Sequence, residues 1–301
     1  MISVLSGGTG TPKLLQGLKE IVNPEELNII VNTVENNYFS GVYVTPDIDT
    51  VLYTMSDLIN SDTWYGLKND TFITNETLRD LGSPELLRIG DKDRALKIQK
   101  TLLLKEHSLT EAVDIQAKNL GLKSTIRPMS DEQSDISIET SEGVISFHEF
   151  LITKRGEVDV LDVEYNTVNP APGLIESIED SDIVIIGPSN PITSINPILI
   201  MDGVIDALKK TYVVSVSPII GNAPVSGPAG KFMEAKNIPA TSIGVCSMYS
   251  NFLNHFIIDD IDEDLAKEIK NLIETVTITK TKMKNIDDKI NLAKTVMGEY
   301  L

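Results

Sequence analysis

Glycines dominate the stretch that follows the first predicted strand, and their spacing suits a phosphate-binding loop. An apolar run at residues 2–5 precedes the glycine-rich segment 6–10. Because glycine has no Cβ, such a loop turns tightly and its backbone N–H groups can approach a ligand. Thr11 is predicted to cap the following helix and Pro12 to be its first residue, so the positive end of the helix dipole faces the same spot. The residues expected to hold a nucleotide phosphate here are Gly7, Gly8, Thr9, Gly10, Thr11 and Lys13.

Two common phosphate-loop motifs do not fit this segment. The dinucleotide fingerprint G-x-G-x-x-G, started at Gly8, would need glycine where Lys13 stands, and a Walker A motif started at Gly7 would need glycine at Pro12. A strand-to-helix turn that binds nothing is the alternative, although the segment has more glycine than a turn needs. The pattern therefore indicates a phosphate loop of another kind, in which Lys13 adds a positive charge.

A pair of aspartates stands at the start of another predicted helix. The helix is predicted over about residues 48–59, and Asp47 is placed to cap it. Asp49 would lie in the first turn, where a carboxylate is favoured by the helix dipole but can equally hold a metal ion or a hydroxyl group. Capping explains only one of the two aspartates, so Asp49 is the candidate functional residue.

The composition limits the possible partners and surroundings. The chain has 301 residues, of which 41% are hydrophobic and 23% charged, as in ordinary globular proteins. A formal net charge of −18 disfavours nucleic acid and anionic membranes, and an anionic ligand would need local cations, N–H groups or a metal ion. The single cysteine, Cys246, excludes an internal disulfide framework. With no signal peptide and no long apolar span, the sequence predicts a cytoplasmic protein.

Predicted strands and helices alternate at both ends of the chain, which is typical of a doubly wound, Rossmann-like α/β fold with a mostly parallel sheet. Outside the middle block, strands are predicted at residues 2–5, 27–31, 182–187, 212–216, 243–246, 256–258 and 275–279, with late helices at 262–274 and 286–297. The middle block contains predicted helices at 75–81, 92–105 and 109–120, then strands at 124–129, 135–140 and 144–153. We therefore divide the chain into a nucleotide-binding core, 1–59 and 161–301, and a helix-rich insertion, 60–160, that contributes to the substrate site.

Two long polar loops follow predicted strands in the second half of the chain. They cover residues 188–195 and 217–231, and both are made rigid by proline. Open parallel sheets bind ligands at the carboxyl ends of their strands, which is where both loops lie. A helix is predicted to begin near residue 226, so a second helix N-terminus is expected to face the same crevice.

Four blocks of this sequence together resemble the 2-phospho-L-lactate transferase family of deazaflavin coenzyme F-420 biosynthesis. They are Ser6-Gly-Gly-Thr-Gly-Thr-Pro-Lys-Leu, Pro46-Asp-Ile-Asp-Thr-Val-Leu-Tyr, Gly187-Pro-Ser-Asn-Pro-Ile-Thr-Ser-Ile and Ser217-Pro-Ile-Ile-Gly-Asn-Ala-Pro-Val-Ser-Gly-Pro-Ala-Gly-Lys. The stretches Asn32-Thr-Val-Glu and Gly90-Asp-Lys-Asp-Arg-Ala are similar as well. The likeness extends from residue 1 to about 258, and the residues beyond carry little of it.

The resemblance implies a transfer reaction between two small molecules. In this family a 2-phospholactyl group moves from a guanosine-diphosphate-linked donor, lactyl-2-diphospho-5'-guanosine, to the ribityl hydroxyl of the deazaflavin Fo. GMP leaves, coenzyme F-420-0 is formed, and Mg²⁺ assists. We also expect a homodimer and no nucleic-acid or membrane partner. A nucleotide-sugar-binding regulator of the related glycine-loop family, without transfer activity, and a nicotinamide-dependent oxidoreductase are the alternatives.

The resemblance also assigns roles to residues outside the glycine loop. It implies that Asp49 is the catalytic residue and binds Fo together with Arg88. Where members of the family carry N-T-x-E-D, this chain has Asn36 in place of the last acid, so a metal-binding role would pass to Glu35. Mg²⁺ is therefore expected at Asp49, Asp47 and Glu35. The further residues expected to hold the nucleotide are Ser189, Asn190, Asn222, Ser226 and Gly227.

Overall fold

A seven-stranded parallel sheet forms the centre of the protein in a computed structural model that describes residues 1–221, 223–224 and 227–300. The strands are β1 (Ile2–Ser6), β2 (Leu27–Val31), β3 (Asn37–Phe39), β4 (Val42–Val44), β5 (Thr125–Pro128), β6 (Ile136–Thr140), β7 (Gly143–Ser146), β8 (Val160–Tyr165), β9 (Ile183–Ile186), β10 (Val213–Val216), β11 (Ile219–Ile220), β12 (Ala223–Pro224), β13 (His255–Asp259) and β14 (Thr275–Thr279). The main sheet has the order β14-β13-β10-β9-β1-β2-β5, and every neighbouring pair in it is parallel. The predicted fold class is confirmed.

Helices cover both faces of this sheet. They are α1 (Gly10–Leu18), α2 (Pro46–Met55), α3 (Ile73–Asp80), α4 (Asp91–Leu103), α5 (Leu109–Asn119), α6 (Leu174–Glu179), α7 (Asn196–Leu199), α8 (Val204–Leu208), α9 (Ala229–Ala235), α10 (Ser242–Tyr249), α11 (Ala266–Ile269) and α12 (Ile286–Met297). Alternate strand residues face opposite layers. Val4 belongs to the apolar cluster on the α1, α2 and α12 side, and Leu5 belongs to the cluster on the other side. Strands β1, β2, β9 and β10 are buried along their whole length, as expected for a sheet covered twice.

The block between residues 60 and 160 is more closely joined to the core than predicted. Its strand β5 pairs with β2, with Ile126 opposite Ile29, and forms the edge of the main sheet. Strands β6 and β7 form a separate antiparallel sheet with β8, which lies in the predicted core segment. The helices α3, α4 and α5 occur where the sequence predicted them. The block thus supplies an edge strand of the main sheet and two strands of the antiparallel sheet.

Two predicted elements take another conformation. The apolar run 243–246 lies within the helix α10 instead of a strand, and Thr241 caps that helix by accepting a hydrogen bond from Gly244 N at 3.2 Å. A short apolar run cannot distinguish a buried strand from a buried helix. The predicted strand 144–153 ends at Ser146, and the π-helical segment Glu149–Thr153 follows, where Phe150 is buried against Phe232.

The predicted helix over 262–274 is also much shorter. A 3-10 segment, Asp260–Leu265, leads into α11, and the following residues turn towards β14. No helix within the described residues is long and apolar enough to cross a membrane.

Candidate functional site

The loops after β1 and β9 meet at the carboxyl ends of these neighbouring strands. The chain proceeds from β1 to β2 on one side, and β9 flanks β1 on the other side. This is a topological switch point, where the connections leave the sheet in opposite directions and open a crevice. The sequence-predicted loops 6–10 and 188–195 are therefore brought together.

Ser189 and Thr11 tie the two loops. Ser189 Oγ accepts a hydrogen bond from Thr11 N at 3.1 Å, lies 2.6 Å from Thr11 Oγ1, and donates to the Gly7 carbonyl oxygen. Both side chains are buried. The prediction that Thr11 caps α1 is wrong, because α1 already begins at Gly10 and the Thr11 hydroxyl is bonded to the neighbouring loop.

Gly10 and Gly187 permit this close contact between the loops. A Cβ on Gly10 would lie 1.8 Å from the Pro188 carbonyl oxygen, and one on Gly187 would lie 2.1 Å from Thr11 Oγ1. Real Cβ atoms do not approach so closely, so these two glycines serve loop packing. The missing Cβ of Gly10 therefore makes room for Pro188, and contact of the Gly10 N–H with a phosphate stays a prediction.

Gly8, unlike Gly10, has free space where a side chain would begin. Its φ of +53° is one that L side chains rarely adopt, and a Cβ there would meet only Ser194 Oγ, at 3.4 Å. Its N–H donates to Asp47 Oδ1 at 2.8 Å. Within the described part of the chain, the N–H groups of Thr9 and Gly10 have no acceptor. These groups remain available to an anion beside the N-terminus of α1.

Asp47 faces the glycine loop and does not cap α2. Besides the Gly8 N–H, it accepts a hydrogen bond from Asn32 Nδ2 at 2.8 Å through its other oxygen. The helix α2 begins at Pro46, so Asp47 lies inside it, and the prediction that Asp47 caps the helix is wrong. Burial raises the pKa of Asp47 to about 6, although the bonds from Asn32 and Gly8 oppose the shift.

Glu35 shares this part of the site with Asp47. Burial and then the Asp47 charge raise the pKa of Glu35 well above its usual value. Two buried carboxylates that resist joint ionisation are suitable ligands for a hard divalent cation.

Asp49 lies apart from that pair, so the structure does not assemble the predicted set of three metal-binding carboxylates. In the described ranges, no group of three or more His, Cys, Asp or Glu side chains is placed to hold a metal ion. The oxygens of Asp49 accept from Lys97 Nζ at 2.9 Å, from Lys100 Nζ, and from the hydroxyl of Thr45 at 2.9 Å. Burial opposes ionisation of Asp49, but the charges of Lys100 and Lys97 outweigh it and hold the pKa well below its usual range.

The two lysines belong to a buried cluster whose charges balance. Lys97 also donates to Asp93, which accepts from the Tyr53 hydroxyl at 2.6 Å. Burial lowers the pKa of Lys97, but the Asp49 and Asp93 carboxylates reverse the effect and raise it. For Lys100, burial prevails and its pKa is lowered. A direct contact between Asp49 and a substrate would have to displace one of these donors.

Arg88 borders a cavity of about 210 Å³ near this cluster. Its guanidinium lies 4.0 Å from the centroid of the Phe72 ring and its side chain is 66% exposed. Gly66, in the same cavity wall, approaches the cluster, because a Cβ there would lie 3.8 Å from Asp93 Oδ2. That oxygen is buried and without a described partner. The chain of contacts from Asp49 through Lys97 to Asp93 therefore ends behind Gly66 in the cavity wall, and Arg88 borders the same cavity without touching it.

Four further residues were predicted to contact the nucleotide, and the structure describes two of them. Asn190 Oδ1 accepts from Ile192 N at 3.0 Å and Thr193 N at 3.3 Å, so its oxygen stabilises its own loop. Gly227 is exposed with a φ of +66°. Asn222 and Ser226 lie outside the described residues. All four stay predictions as ligand contacts.

Sequence reasoning missed the charged face of α4. Asp93, Lys97 and Lys100 follow one another at the spacing of one helix face, but the sequence analysis assigned them no role. The signal was a helix whose charged residues, instead of its apolar ones, repeat with helical period. Asn32 was also missed as a partner of Asp47, although it directly follows β2 at the ligand-binding edge of the sheet.

The fold and the site define an α/β protein of the ligand-binding type, with a glycine loop, a helix N-terminus and acidic side chains at a switch point. The family model of 2-phospho-L-lactate transferase CofD matches residues 2–296. The chain belongs to this family.

Relatives of known name agree with the family assignment, and a solved structure shares the fold. The chain is 62% identical over 301 residues to a 2-phospho-L-lactate transferase of Methanothermobacter thermautotrophicus, covering 100% of this chain and 98% of the relative. It is 50% identical over 305 residues to that of Methanocaldococcus jannaschii, covering 99% and 97%. A crystal structure of a UPF0052 family protein from Bacillus halodurans has a TM-score of 0.65 at 16% identity, covering 98% of both chains. This last likeness concerns the fold alone.

Proposed function

We propose that this chain is a 2-phospho-L-lactate transferase. It transfers a 2-phospholactyl group from lactyl-2-diphospho-5'-guanosine to the terminal ribityl hydroxyl of Fo. The observation that carries the proposal is the 62% identity, along the entire chain, to a protein of that name. The alternative of a nucleotide-sugar-binding regulator has no support from the family match, which is to a transferase model.

The reaction requires charge neutralisation and alignment. The ribityl hydroxyl loses its proton to the solvent as its oxygen forms a bond to the phosphorus that carries lactate. The bond from that phosphorus to the bridging oxygen breaks, and GMP leaves with that oxygen. Such a transfer depends on positioning and electrostatic stabilisation more than on covalent participation of the protein. We propose that the N–H groups of Thr9 and Gly10 at the N-terminus of α1 stabilise the diphosphate, because they have no acceptor among the described residues.

Asp47 and Glu35 are the residues that would hold Mg²⁺. Their raised pKa values fit a site in which a cation would favour the ionised pair. Mg²⁺ commonly uses one or two carboxylates and completes its shell with water and substrate phosphates, so a third protein carboxylate is not required. When bound, the ion would neutralise the diphosphate.

Asp49 and Arg88 would serve the acceptor side of the site. Arg88 and Phe72 form a cationic and aromatic wall of the cavity, which suits a flat deazaflavin ring. Because Asp49 is held by Lys97 and Lys100, we propose that it acts on this cavity through the Lys97–Asp93 connection as a positioning residue. The catalytic and metal-binding roles assigned to it from sequence are less well supported by this geometry.

A turnover assay tests the proposal. Purified protein is incubated with Fo and the guanylylated donor, with Mg²⁺ or with excess EDTA, and F-420-0 and GMP are quantified by mass spectrometry. We expect equimolar products that depend on the metal. Absence of both products, or co-purification of a UDP-sugar instead of a deazaflavin, would favour the regulator. The homodimer and the cytoplasmic location stay predictions, and light scattering of the purified protein tests the former.

A further inference from the structure

Two lysines from opposite ends of the chain converge on Trp64, the only tryptophan in the sequence. Lys13 Nζ lies 5.1 Å and Lys289 Nζ 4.9 Å from the centroid of the indole ring. Lys13 belongs to α1 and Lys289 to α12. These helices pack so closely that a Cβ on Gly17 would lie 2.2 Å from the Lys289 carbonyl oxygen. The packing of α1 against α12 therefore brings both ammonium groups to the same indole ring.

Neither ammonium group is neutralised by the protein in the part of the chain that the structure describes. No carboxylate there lies within ion-pair distance of Lys13 or Lys289. The one hydrogen bond of Lys289 Nζ goes to Gln16 Oε1, at 2.6 Å. Lys13 is half-buried and Lys289 is 9% exposed, so both charges are partly withdrawn from water.

This arrangement is unfavourable unless an anion accompanies it. Burial lowers the pKa of Lys13, and burial together with the charge of Lys13 lowers the pKa of Lys289. The chain carries a net charge of −18, yet these two cations share one indole ring without an acidic partner among the described residues. The indole face attracts a cation but cannot neutralise it. Two converging ammonium groups beside a flat apolar surface are suited to a phosphate group.

We propose that Lys13, Lys289 and Trp64 form a subsite for a phosphate-class anion. The inference rests on the proposed function and deepens it, because the anion is assigned to the phosphate chain of the guanylylated donor. Lys13 lies only three residues after Gly10, the first residue of α1, so the subsite adjoins the glycine loop along the chain. Through Lys289, the C-terminal helix, which carries little of the family signature, then contributes directly to the donor site.

Trp64 provides the readout, since all tryptophan fluorescence comes from this one ring. Inorganic pyrophosphate is titrated into the full-length protein in EDTA, and the emission is followed. We expect a saturable change in the parent protein, because an anion draws the ammonium groups from the indole. In Lys289→Met and Lys13→Met the dissociation constant should rise about tenfold or more, as for the loss of one charge-assisted contact. The matched control, Lys294→Met, removes an exposed lysine of the same helix and should leave the titration unchanged.

The conservative variant Lys289→Arg keeps the charge and should keep pyrophosphate binding. Circular dichroism checks the fold of each variant, and if Lys289→Met fails to fold, the comparison of Lys13→Met with Lys289→Arg decides. A parent protein without a saturable response, or a response equal in parent and folded methionine variants, would overturn the subsite.

Competition with guanosine diphosphate shows whether the subsite takes the phosphates of the donor or another phosphate. If the subsite takes the donor's phosphates, GDP displaces pyrophosphate competitively, and Lys289→Met raises the KM of the donor while the KM of Fo is unchanged. If GDP binds without displacing pyrophosphate, the assignment to the donor is wrong. Intact, lysine-dependent pyrophosphate binding in a protein that makes no F-420-0 would count against the proposed function and not against the subsite.

Discussion

Lys97 Nζ lies 2.9 Å from Asp49 Oδ2 and also donates to Asp93, so one buried ammonium group joins the first turn of α2 to α4. Lys100 completes the pairing on the other oxygen of Asp49. The carboxylate that the sequence marks as functional is therefore also part of the interior of the protein. Any substitution at Asp49 tests stability and chemistry together.

Asp49→Asn should destabilise the protein by about 3–5 kcal/mol, because it removes one member of a buried ion-pair cluster and leaves lysines without their counter-charge. From the sequence alone we would expect little change, since a first-turn carboxylate contributes about 0.3–1 kcal/mol through the helix dipole. Urea unfolding followed by circular dichroism measures the difference. Asp287→Asn, an exposed first-turn position of α12, is the matched control and should lose about 1 kcal/mol or less.

A double-mutant cycle shows whether the destabilisation by Asp49→Asn comes from loss of the ion pair with Lys97. Lys97→Met combined with Asp49→Asn should be less destabilising than the sum of the single variants, with a coupling of about 0.5–3 kcal/mol. Simple additivity, or an Asp49→Asn protein as stable as the parent, would mean that the pair contributes nothing to folding.

Gly10→Ala should damage the fold, whereas Gly8→Ala should damage ligand binding. A Cβ at Gly10 would overlap the Pro188 carbonyl oxygen, and we expect a loss of about 3 kcal/mol or more. At Gly8 the added Cβ has room but the φ is +53°, so the cost should be about 1 kcal/mol. Thermal unfolding and GDP calorimetry separate the two effects. Equal stability of both variants would contradict the packing of the two loops.

Stabilisation by Mg²⁺ should increase with pH. The pKa of Asp47 in the folded protein, about 6, lies above that of an unfolded aspartate. The stability that this group contributes is therefore present below about pH 4 and is lost as the pH rises through about 6. The raised pKa of Glu35 acts in the same direction. A cation bound to the ionised Asp47 and Glu35 would restore the stability that is lost.

The melting temperature is the measurement for this prediction. Addition of Mg²⁺ should raise it more at about pH 7.5 than at about pH 5, and Asp47→Asn should remove most of the difference. A Mg²⁺ effect that is the same at both pH values in the parent protein would place the metal elsewhere.

Arg88→Ala should raise the KM of Fo more than the KM of the donor, because the guanidinium borders the cavity beside Phe72 and not the glycine loop. Stability should change by less than about 0.5 kcal/mol, since the side chain is exposed and its contact with Glu76 is a surface pair at 3.9 Å. Steady-state kinetics with each substrate varied in turn gives both constants. Arg79→Ala, an exposed position on α3, is the control, and equal effects on both substrates would remove Arg88 from the acceptor site.

The sequence by itself determined most of the sheet. Strands β2 and β14 and helix α12 have the predicted bounds, because a buried strand is a short apolar run and an amphipathic helix repeats with its own period. The glycine loop and the loop after β9 were also predicted to share a crevice, since the carboxyl ends of parallel strands lie at one edge of the sheet.

Only the tertiary structure decided what the two aspartates of α2 do. The sequence predicted Asp47 as the cap and Asp49 as the functional group. In the structure Asp47 faces Gly8, and Asp49 is held by Lys97 and Lys100. The lysines come from a helix distant in sequence, and no local pattern states which neighbours a carboxylate will meet. For the same reason the sequence did not reveal that Lys13 and Lys289 both lie at Trp64. Residues so far apart in the chain come to one ring only when the helices that carry them pack together.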